Sequence, residues 1–363
     1  MIAHIDHGKT TLTDKLIQSD TSREAASKVE RLMDSMSLEK ERGISIMSKY
    51  TRVDWGGHVL NIVDTPGHAD FGGEVERVLE MVNGAILVVD ATEGPMAQTK
   101  FVLSKAIDRG LRPIVLINKV DRESSRVHEV ESEILDLFIA LGAPDELLDY
   151  PVLYASAKEG WAVTDVDDKD RSKGMAPLLQ AIIDTIPAPC AAAAVGQSFS
   201  LAVNSIQTDP YVGRLCMGKI HTGKVKVGDT VKALSRGDGM AGGLSPGAVT
   251  AEGRVTKLLC QRGMEKLEIP EAAAGDIVWI AGVTAGVADT VAAPDISEPL
   301  PTQPMDPPTL AMTFGPNDSP LGGGEGKYVT GTHVLERLNK ELENNVGTPK
   351  VPGLPAGICV VGA

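Results

Sequence analysis

The stretch Ala3-His4-Ile5-Asp6-His7-Gly8-Lys9-Thr10 decides the fold expected of this chain. Its spacing matches G-x-x-x-x-G-K-[ST], the strand, loop and helix pattern of a phosphate-binding loop, with Ala3 in place of the first glycine. In such a loop, backbone N–H groups turn toward the phosphates, the lysine meets their charge, and the hydroxyl binds Mg²⁺. Short Gly-Lys-Thr runs also occur in surface turns, so the interpretation depends on the motifs that follow.

The first half of the chain alternates between apolar runs and amphipathic segments. Three runs rich in β-branched residues are nearly uninterrupted, as buried parallel strands are, at residues 59–63, 85–89 and 113–117. Amphipathic segments such as 73–82 and 98–108 lie between these runs. The alternation predicts a doubly wound, mostly parallel α/β domain over residues 1–188. Its ligand is expected at the carboxyl ends of the strands.

Beyond this first domain the sequence pattern changes. Short alternating segments separated by glycine turns predict a small all-β barrel over residues 196–294. A proline-rich linker then leads to a partial third, α+β domain over residues 305–346. For that domain we expect a strand at 309–314 and an amphipathic helix at 332–345. The tail, residues 347–363, has no helix or strand pattern of its own.

Composition and charge restrict the class of protein. A chain of 363 residues, 42% apolar and 23% charged, is long enough for two or three globular domains. No apolar run of the sequence approaches the roughly 18 residues of a membrane span. The net charge of −14 argues against general adhesion to nucleic acid or anionic membrane, although local basic patches can still hold an RNA–protein partner. The cysteines have no paired spacing, which favours reduced thiols over a zinc site or disulfides at Cys190, Cys216, Cys260 and Cys359.

A second motif, Asp64-Thr65-Pro66-Gly67-His68, follows directly on the run at 59–63. An aspartate at a strand end can hold Mg²⁺ through water, and the Gly67 N–H can reach a γ-phosphate. The alternative, an ordinary Asp-Thr-Pro-Gly turn, is disfavoured by the order of the two motifs and their distance along the chain.

A third motif, Asn118-Lys119-Val120-Asp121, follows the run at 113–117. A carboxylate at this point accepts two hydrogen bonds from the N1–H and N2–H₂ edge of guanine, which adenine cannot supply. The fourth motif, Ser156-Ala157-Lys158, follows a further predicted strand, where a backbone N–H can meet the guanine O6. Four motifs in this order on successive strand ends predict a GTP-binding domain.

Residues 34–47, which include Glu41-Arg42-Gly43-Ile44-Ser45-Ile46, occupy the position of a switch loop. Such a loop closes only when a γ-phosphate and Mg²⁺ are present, and the Ser45 hydroxyl can supply a further Mg²⁺ ligand. A solvated charged turn is the alternative interpretation.

These motifs resemble those of the translational GTPases, in which a GTPase domain precedes a β-barrel. The resemblance rests on residues 3–11, 42–46, 64–68 and 118–121. A finer resemblance to the TypA/BipA group extends over about residues 1–346 and rests on residues 33–35, 38–43, 68–77, 317–320, 325–330 and 337–342. The translational GTPase pattern tolerates an alanine in place of the first glycine, as at Ala3. Ser45 departs from the usual threonine of the family but keeps the hydroxyl.

The resemblance also implies residue roles. His68 is expected to position the attacking water, which Ile5 and Ile44 shield before activation. The expected catalytic residues are His68, Lys9 and Asp6, and the expected Mg²⁺ ligands are Thr10, Ser45 and, through water, Asp64. The expected GTP-binding residues are Ala3, His4, Ile5, Asp6, His7, Gly8, Lys9, Thr10, Thr11, Asp64, Gly67, Asn118, Lys119, Asp121, Ser156, Ala157 and Lys158.

The implied activity is hydrolysis of GTP to GDP and phosphate with Mg²⁺, stimulated by the ribosome through its rRNA and ribosomal proteins. We expect a monomer with no DNA or membrane partner, in the cytoplasm, or in the plastid stroma if a transit peptide precedes this chain. Only Met1 and Ile2 precede the first loop, so we expect a chain that is incomplete at both ends. Two alternatives stay open: a guanine-nucleotide-binding fragment without a productive ribosome cycle, and an elongation factor G-like or LepA-like GTPase.

Overall fold

The computed structural model describes residues 1–19, 48–65, 72–189, 192–209, 211–237, 245–263, 265–301, 310–316, 328, 330–344 and 358–362. The chain divides into two compact units, Met1–Ala191 with Cys260–Leu267, and Ala192–Leu259 with Glu268–Ala363. The domain boundaries at 188, 196, 294, 305 and 346 stay predictions. Among the described residues, no helix combines the length and the hydropathy of a membrane-spanning segment.

The first unit is built around a five-stranded sheet. Its elements, in chain order, are β1 (Ile2–Ala3), α1 (Lys9–Gln18), β2 (Lys49–Trp55), β3 (His58–Asp64), α2 (Gly72–Met81), β4 (Gly84–Asp90), α3 (Ala97–Asp108), β5 (Arg112–Asn118), α4 (Val127–Ala140), α5 (Asp145–Leu148), β6 (Val152–Ser156), β7 (Trp161–Val163) and α6 (Ala176–Thr185). The sheet order is β1-β4-β5-β6-β7, with every pair parallel except the antiparallel edge pair β6–β7. The predicted mostly parallel α/β domain is confirmed.

The central strand β5 is buried on both faces, because its side chains alternate between two hydrophobic clusters. Ile114 and Leu116 pack in the cluster that includes residues of α1 and α6. Val115 and Ile117 pack in the opposite cluster, with residues of α3 and α4. Helices on both faces of a parallel sheet make the strand ends rigid, and the last residue of β5 is Asn118.

The run at 59–63 differs from its prediction as a buried parallel strand. It lies in β3, which pairs antiparallel with β2 from Lys49–Asp64 to Trp55–His58. The cause is the two-residue turn Gly56-Gly57, where φ is 57° and 79°, because a hairpin turn of this length favours positive φ at both positions. Only the last three residues of β3 are buried, and the hairpin places Asp64 at the end of that buried stretch.

The second unit is rich in antiparallel strands. The elements between residues 192 and 292 are α7 (Ala192–Val195), β8 (Ser200–Asp209), β9 (Gly213–Thr222), β10 (Lys224–Lys226), β11 (Thr230–Leu234), β12 (Val249–Arg254), β13 (Lys257–Arg262), β14 (Glu265–Glu268), β15 (Glu271–Ala273), β16 (Ile277–Ala281) and β17 (Thr290–Ala292). Eight of these strands form one sheet in the order β12-β11-β17-β8-β9-β16-β13-β14, and β10 pairs with β15. The predicted β-rich domain after the α/β domain is confirmed.

The last elements are β18 (Leu310–Phe314), α8 (Gly331–Asn344) and β19 (Ile358–Gly362). The first two match the predicted strand and helix to within a residue. The tail 347–363 had no predicted strand, but β19 lies in it and pairs antiparallel with β18. A five-residue apolar segment is too short to identify a strand by periodicity, and its partner lies far away in the sequence.

Candidate nucleotide site

The loop between β1 and α1 is a tight turn whose shape requires its glycine. Gly8 has a φ of 93° and precedes the first helical residue, and Asp6 also has a positive φ, 61°. A Cβ added at Gly8 would lie 2.3 Å from the side-chain nitrogen of Asn118, so a larger residue does not fit. Since the first N–H groups of a helix have no intrahelical partner, the start of α1 is suited to an anion.

Lys9 and Asp64 form a buried ion pair at the start of α1. Lys9 Nζ donates to Asp64 Oδ1, and the two side chains are 7% and 1% exposed. The other carboxylate oxygen, Asp64 Oδ2, is buried and accepts no hydrogen bond from any described residue. Buried polar atoms of this kind are rare without a partner.

This orphaned oxygen tests whether the site fits Mg²⁺. The oxygen is free to accept from a Mg²⁺-bound water, and Thr10, the second residue of α1, brings a hydroxyl from the same helix start that carries Lys9. Carboxylate and hydroxyl oxygens are the hard ligands that Mg²⁺ prefers. The residues present therefore fit a Mg²⁺ ion.

Asn118 joins three of the four predicted motifs. Its Nδ2 donates to the carbonyl oxygen of His7 at 2.8 Å, and its Oδ1 accepts from the backbone N–H of Ala157 at 2.9 Å. The side chain is buried, so both hydrogen bonds lie out of water, where an unmade bond is costly. One amide thus holds the first loop, the end of β5 and the segment after β6 together.

Lys119, the residue after Asn118, contacts both the first loop and the end of β4. Its backbone has a positive φ of 65°, and its Nζ donates to the carbonyl oxygen of Asp6 at 2.6 Å. The same ammonium lies 2.6 Å from Asp90 Oδ2. Burial by itself raises the pKa of Asp90, but hydrogen bonds from Lys119 and from the Thr92 N–H outweigh it and hold the pKa below its ordinary value.

His7, predicted to bind the nucleotide, turns its ring toward the loop after β4. Its Nδ1 accepts from the Asp90 N–H at 3.3 Å, and its Nε2 lies 3.3 Å from Glu93 Oε2. Burial, followed by the charge of His4, lowers the pKa of His7 from its ordinary value of 6.5. A neutral ring that accepts at Nδ1 donates at Nε2, which matches the two partners.

Asp90 and Glu93 were missed by the sequence reasoning. A signal for Asp90 was present, because it directly follows the apolar run at 85–89, as Asp64 and Asn118 follow theirs. Glu93 carried no such signal, since an acidic residue in a short loop is more often only solvated.

The predicted guanine-binding residues lie at the same edge of the sheet. Asp121 and Lys158 are exposed, and Ser156 is buried with its Oγ accepting from the Glu159 N–H at 3.3 Å. The Ala157 N–H, one of the predicted donors to guanine O6, donates to Asn118 Oδ1 in this structure.

The remaining predicted residues have simpler surroundings. Ala3 is buried in β1 opposite Val88, and Thr11 is exposed on α1. Four predicted residues lie outside the part of the chain that the structure describes: Ile44, Ser45, Gly67 and His68.

Comparison with known proteins adds a family and relatives. The family described as elongation factor Tu GTP binding domain matches residues 1–188. Two relatives named large ribosomal subunit assembly factor BipA, from Synechocystis sp. and Escherichia coli strain K12, are each 47% identical to this chain over 348 residues. The matches cover 95% of this chain and 56% and 55% of the two relatives, so the chain spans about half the length of these proteins.

A solved structure supports the fold alone. A crystal structure of a protein from Thermus thermophilus aligns with a TM-score of 0.69 at 19% identity, covering 99% of this chain and 63% of that one.

Proposed function

The chain belongs to the translational GTPases that share the elongation factor Tu GTP-binding domain, and from that premise we propose that it binds GTP, hydrolyses it to GDP and phosphate, and acts on the ribosome. Its similarity to the BipA relatives agrees with the resemblance to the TypA/BipA group. The observation that carries the proposal is the pair of hydrogen bonds by which Asn118 joins the first loop to the segment after β6. Those bonds join the loop that we propose for the phosphates to the segment that we propose for guanine.

The phosphates are proposed to bind at Gly8 and Lys9. The N–H groups at the start of α1 and the Lys9 ammonium offer the positive charge that a triphosphate needs. Lys9 contacts Asp64, so binding replaces this contact by one to a phosphate. Mg²⁺, held by Thr10 and Ser45 and through water by Asp64, would neutralise charge on the phosphates.

Guanine is proposed to bind between Lys119 and the segment at Ser156, Ala157 and Lys158. The exposed carboxylate of Asp121 would accept from the guanine N1–H and N2–H₂, and adenine offers no such pair of donors. The guanine O6 would share the Ala157 N–H with Asn118 or accept from the Lys158 N–H.

Hydrolysis is proposed to proceed by in-line attack of water on the γ-phosphate. His68 would orient that water, and Lys9 would stabilise the developing charge, with Asp6 in the loop beside it. The ribosome, through its rRNA and proteins, would supply activation of a chain that turns over slowly alone. The proposed active species is a monomer.

The binding part of this proposal is tested by competition. A fluorescent GDP analogue should bind the purified chain with Mg²⁺ and be displaced by GTP and GDP but not by ATP. Displacement by ATP at the same concentration would contradict the role of Asp121. Guanine-nucleotide binding without ribosome-stimulated hydrolysis would instead favour a nucleotide-binding module with no productive ribosome cycle.

A further inference from the structure

Residues 90–94, which comprise the last residue of β4 and the start of the loop to α3, form one loop segment in contact with the predicted nucleotide site. Asp90 pairs with Lys119, and both Asp90 and Glu93 contact the ring of His7. The Ala91 N–H also donates to the carbonyl oxygen of Asn118 at 2.8 Å. The loop therefore contacts the first and the third motif without belonging to either.

One arginine at the start of α4, Arg126, donates hydrogen bonds to the backbone of this loop. Arg126 Nε donates to the Thr92 carbonyl oxygen at 2.9 Å, and Nη2 donates to the Glu93 carbonyl oxygen at 3.0 Å. The Arg126 backbone N–H donates to Ala91 O at 2.9 Å. Three consecutive carbonyl groups of the loop thus accept hydrogen bonds from one residue.

The guanidinium of Arg126 is itself oriented by α4. Glu133, two turns along the helix, accepts from both Nη1 and Nη2, and Glu129 accepts from Nη1 at 3.4 Å. A bidentate pair fixes the plane of the guanidinium as well as its position.

Gly94 leaves the space for this arrangement. A Cβ added at Gly94 would lie 2.3 Å from Glu133 Oε2 and 2.9 Å from Arg126 Nη2. The backbone at Gly94 also has a positive φ of 77°, which favours glycine. The backbone turn at residue 94 and the Arg126–Glu133 ion pair therefore fit together only when residue 94 has no side chain.

We propose that Arg126 is a positioning residue for guanine-nucleotide binding, acting through residues 90–94 on His7 and Lys119. The inference rests on the proposed function. Arg126 lies outside all four motifs. The Arg126 and Glu133 side chains are 32% and 40% exposed, so their ion pair is screened by water and adds little to folding stability. Loss of this ion pair should therefore change mainly the position of residues 90–94.

The test measures release of a fluorescent GDP analogue from the full chain. Arg126→Ala should release it about tenfold faster than the wild type, the size of effect that residues without direct ligand contact can have. Arg126→Lys keeps the charge but loses the forked geometry, and should give a smaller increase. The matched control is Arg112→Ala, because Arg112 also donates to a backbone carbonyl but lies at the opposite end of β5.

Gly94→Ala places a methyl group against the Arg126–Glu133 ion pair and should also speed release of the analogue. This variant keeps the proposal testable if Arg126→Ala fails to fold. The proposal is supported if both variants release the analogue faster and unfold at temperatures no lower than that of Arg112→Ala. Wild-type release rates in Arg126→Ala and Gly94→Ala overturn it, as does an equal increase in Arg112→Ala. A wild-type chain that binds no guanine nucleotide overturns this inference and the proposed function together, whereas normal binding with unchanged variants overturns this inference alone.

Discussion

The side-chain nitrogen of Asn118 donates to the carbonyl oxygen of His7 at 2.8 Å, although the two residues are 111 positions apart. The bond ties the predicted phosphate-binding loop to the end of a strand that is buried on both faces. The end of a strand in the sheet is a suitable anchor, because sites built on strands and helices are held more precisely than sites built on loops. The position of the loop is therefore set from outside it.

Asn118→Ala should loosen the site. The substitution leaves the Ala157 N–H and the His7 carbonyl without their partner, at a cost of about 1–3 kcal/mol for each group that stays unsatisfied. We expect guanine-nucleotide affinity to fall roughly tenfold or more, measured by titration with a fluorescent GDP analogue. Asn83→Ala, at the opposite end of β4, is the control. Equal affinities in the two variants would contradict the anchoring role.

Asp121→Asn should change base specificity. The amide replaces one acceptor of the carboxylate by a donor, which no longer matches the guanine edge but matches the second carbonyl of xanthine. We expect a loss of GTP affinity of about 100-fold and a gain for XTP, measured by competition. An unchanged preference for GTP would place the base elsewhere.

Asp64→Asn should weaken the response to Mg²⁺. Replacing an aspartate that holds a metal ion through water commonly lowers the metal affinity by about 10- to 100-fold. In the wild type, chelation of Mg²⁺ should speed nucleotide release, and this difference should shrink in Asp64→Asn. If chelation speeds release equally in both proteins, Asp64 does not hold the ion.

His7 should make folding stability depend on pH. Its pKa in the folded chain lies below the ordinary 6.5, so the unfolded state takes up the proton first. The contribution of His7 to the free energy of unfolding is fully present above about pH 6.5, and it is lost as the pH falls from there toward the pKa of His7 in the folded chain. His221, whose pKa burial also lowers, contributes with the same sign.

The measurement is thermal unfolding of wild type, His7→Gln and His221→Gln between pH 5 and 8. His7→Gln should lose less stability than the wild type as the pH falls, and its nucleotide-free form should show this in the transition of the first unit. Parallel pH profiles of wild type and His7→Gln would contradict the assignment.

Much of this site could be predicted because its residues follow apolar runs. Asn118 and Ser156 each end a strand of the parallel sheet, and parallel strands bring such ends to one edge. Asp64 also follows an apolar run, but it ends β3, which pairs antiparallel with β2. The resemblance to the translational GTPases, and to the TypA/BipA group within them, is confirmed by the family match and the BipA relatives. The roles given to single residues stay predictions.

The rest could not be predicted for identifiable reasons. The direction of β3 follows from the Gly56-Gly57 turn, a signal that was present but outweighed by the apolar run. The pairing of β18 with β19 joins residues more than 40 positions apart, which no local pattern reports. Arg126 has no sequence signal either, since a lone arginine in a charged segment is usually solvated.

The most direct test of the account is phosphate release from GTP by the purified chain, with and without ribosomes, for wild type and His68→Ala. We predict slow release by the wild type alone, an increase of about 100-fold or more with ribosomes, and little of that increase in His68→Ala. Equal stimulated rates in the two proteins would contradict the role of His68. No release above buffer from the wild type with ribosomes would contradict the central claim that this chain hydrolyses GTP on the ribosome.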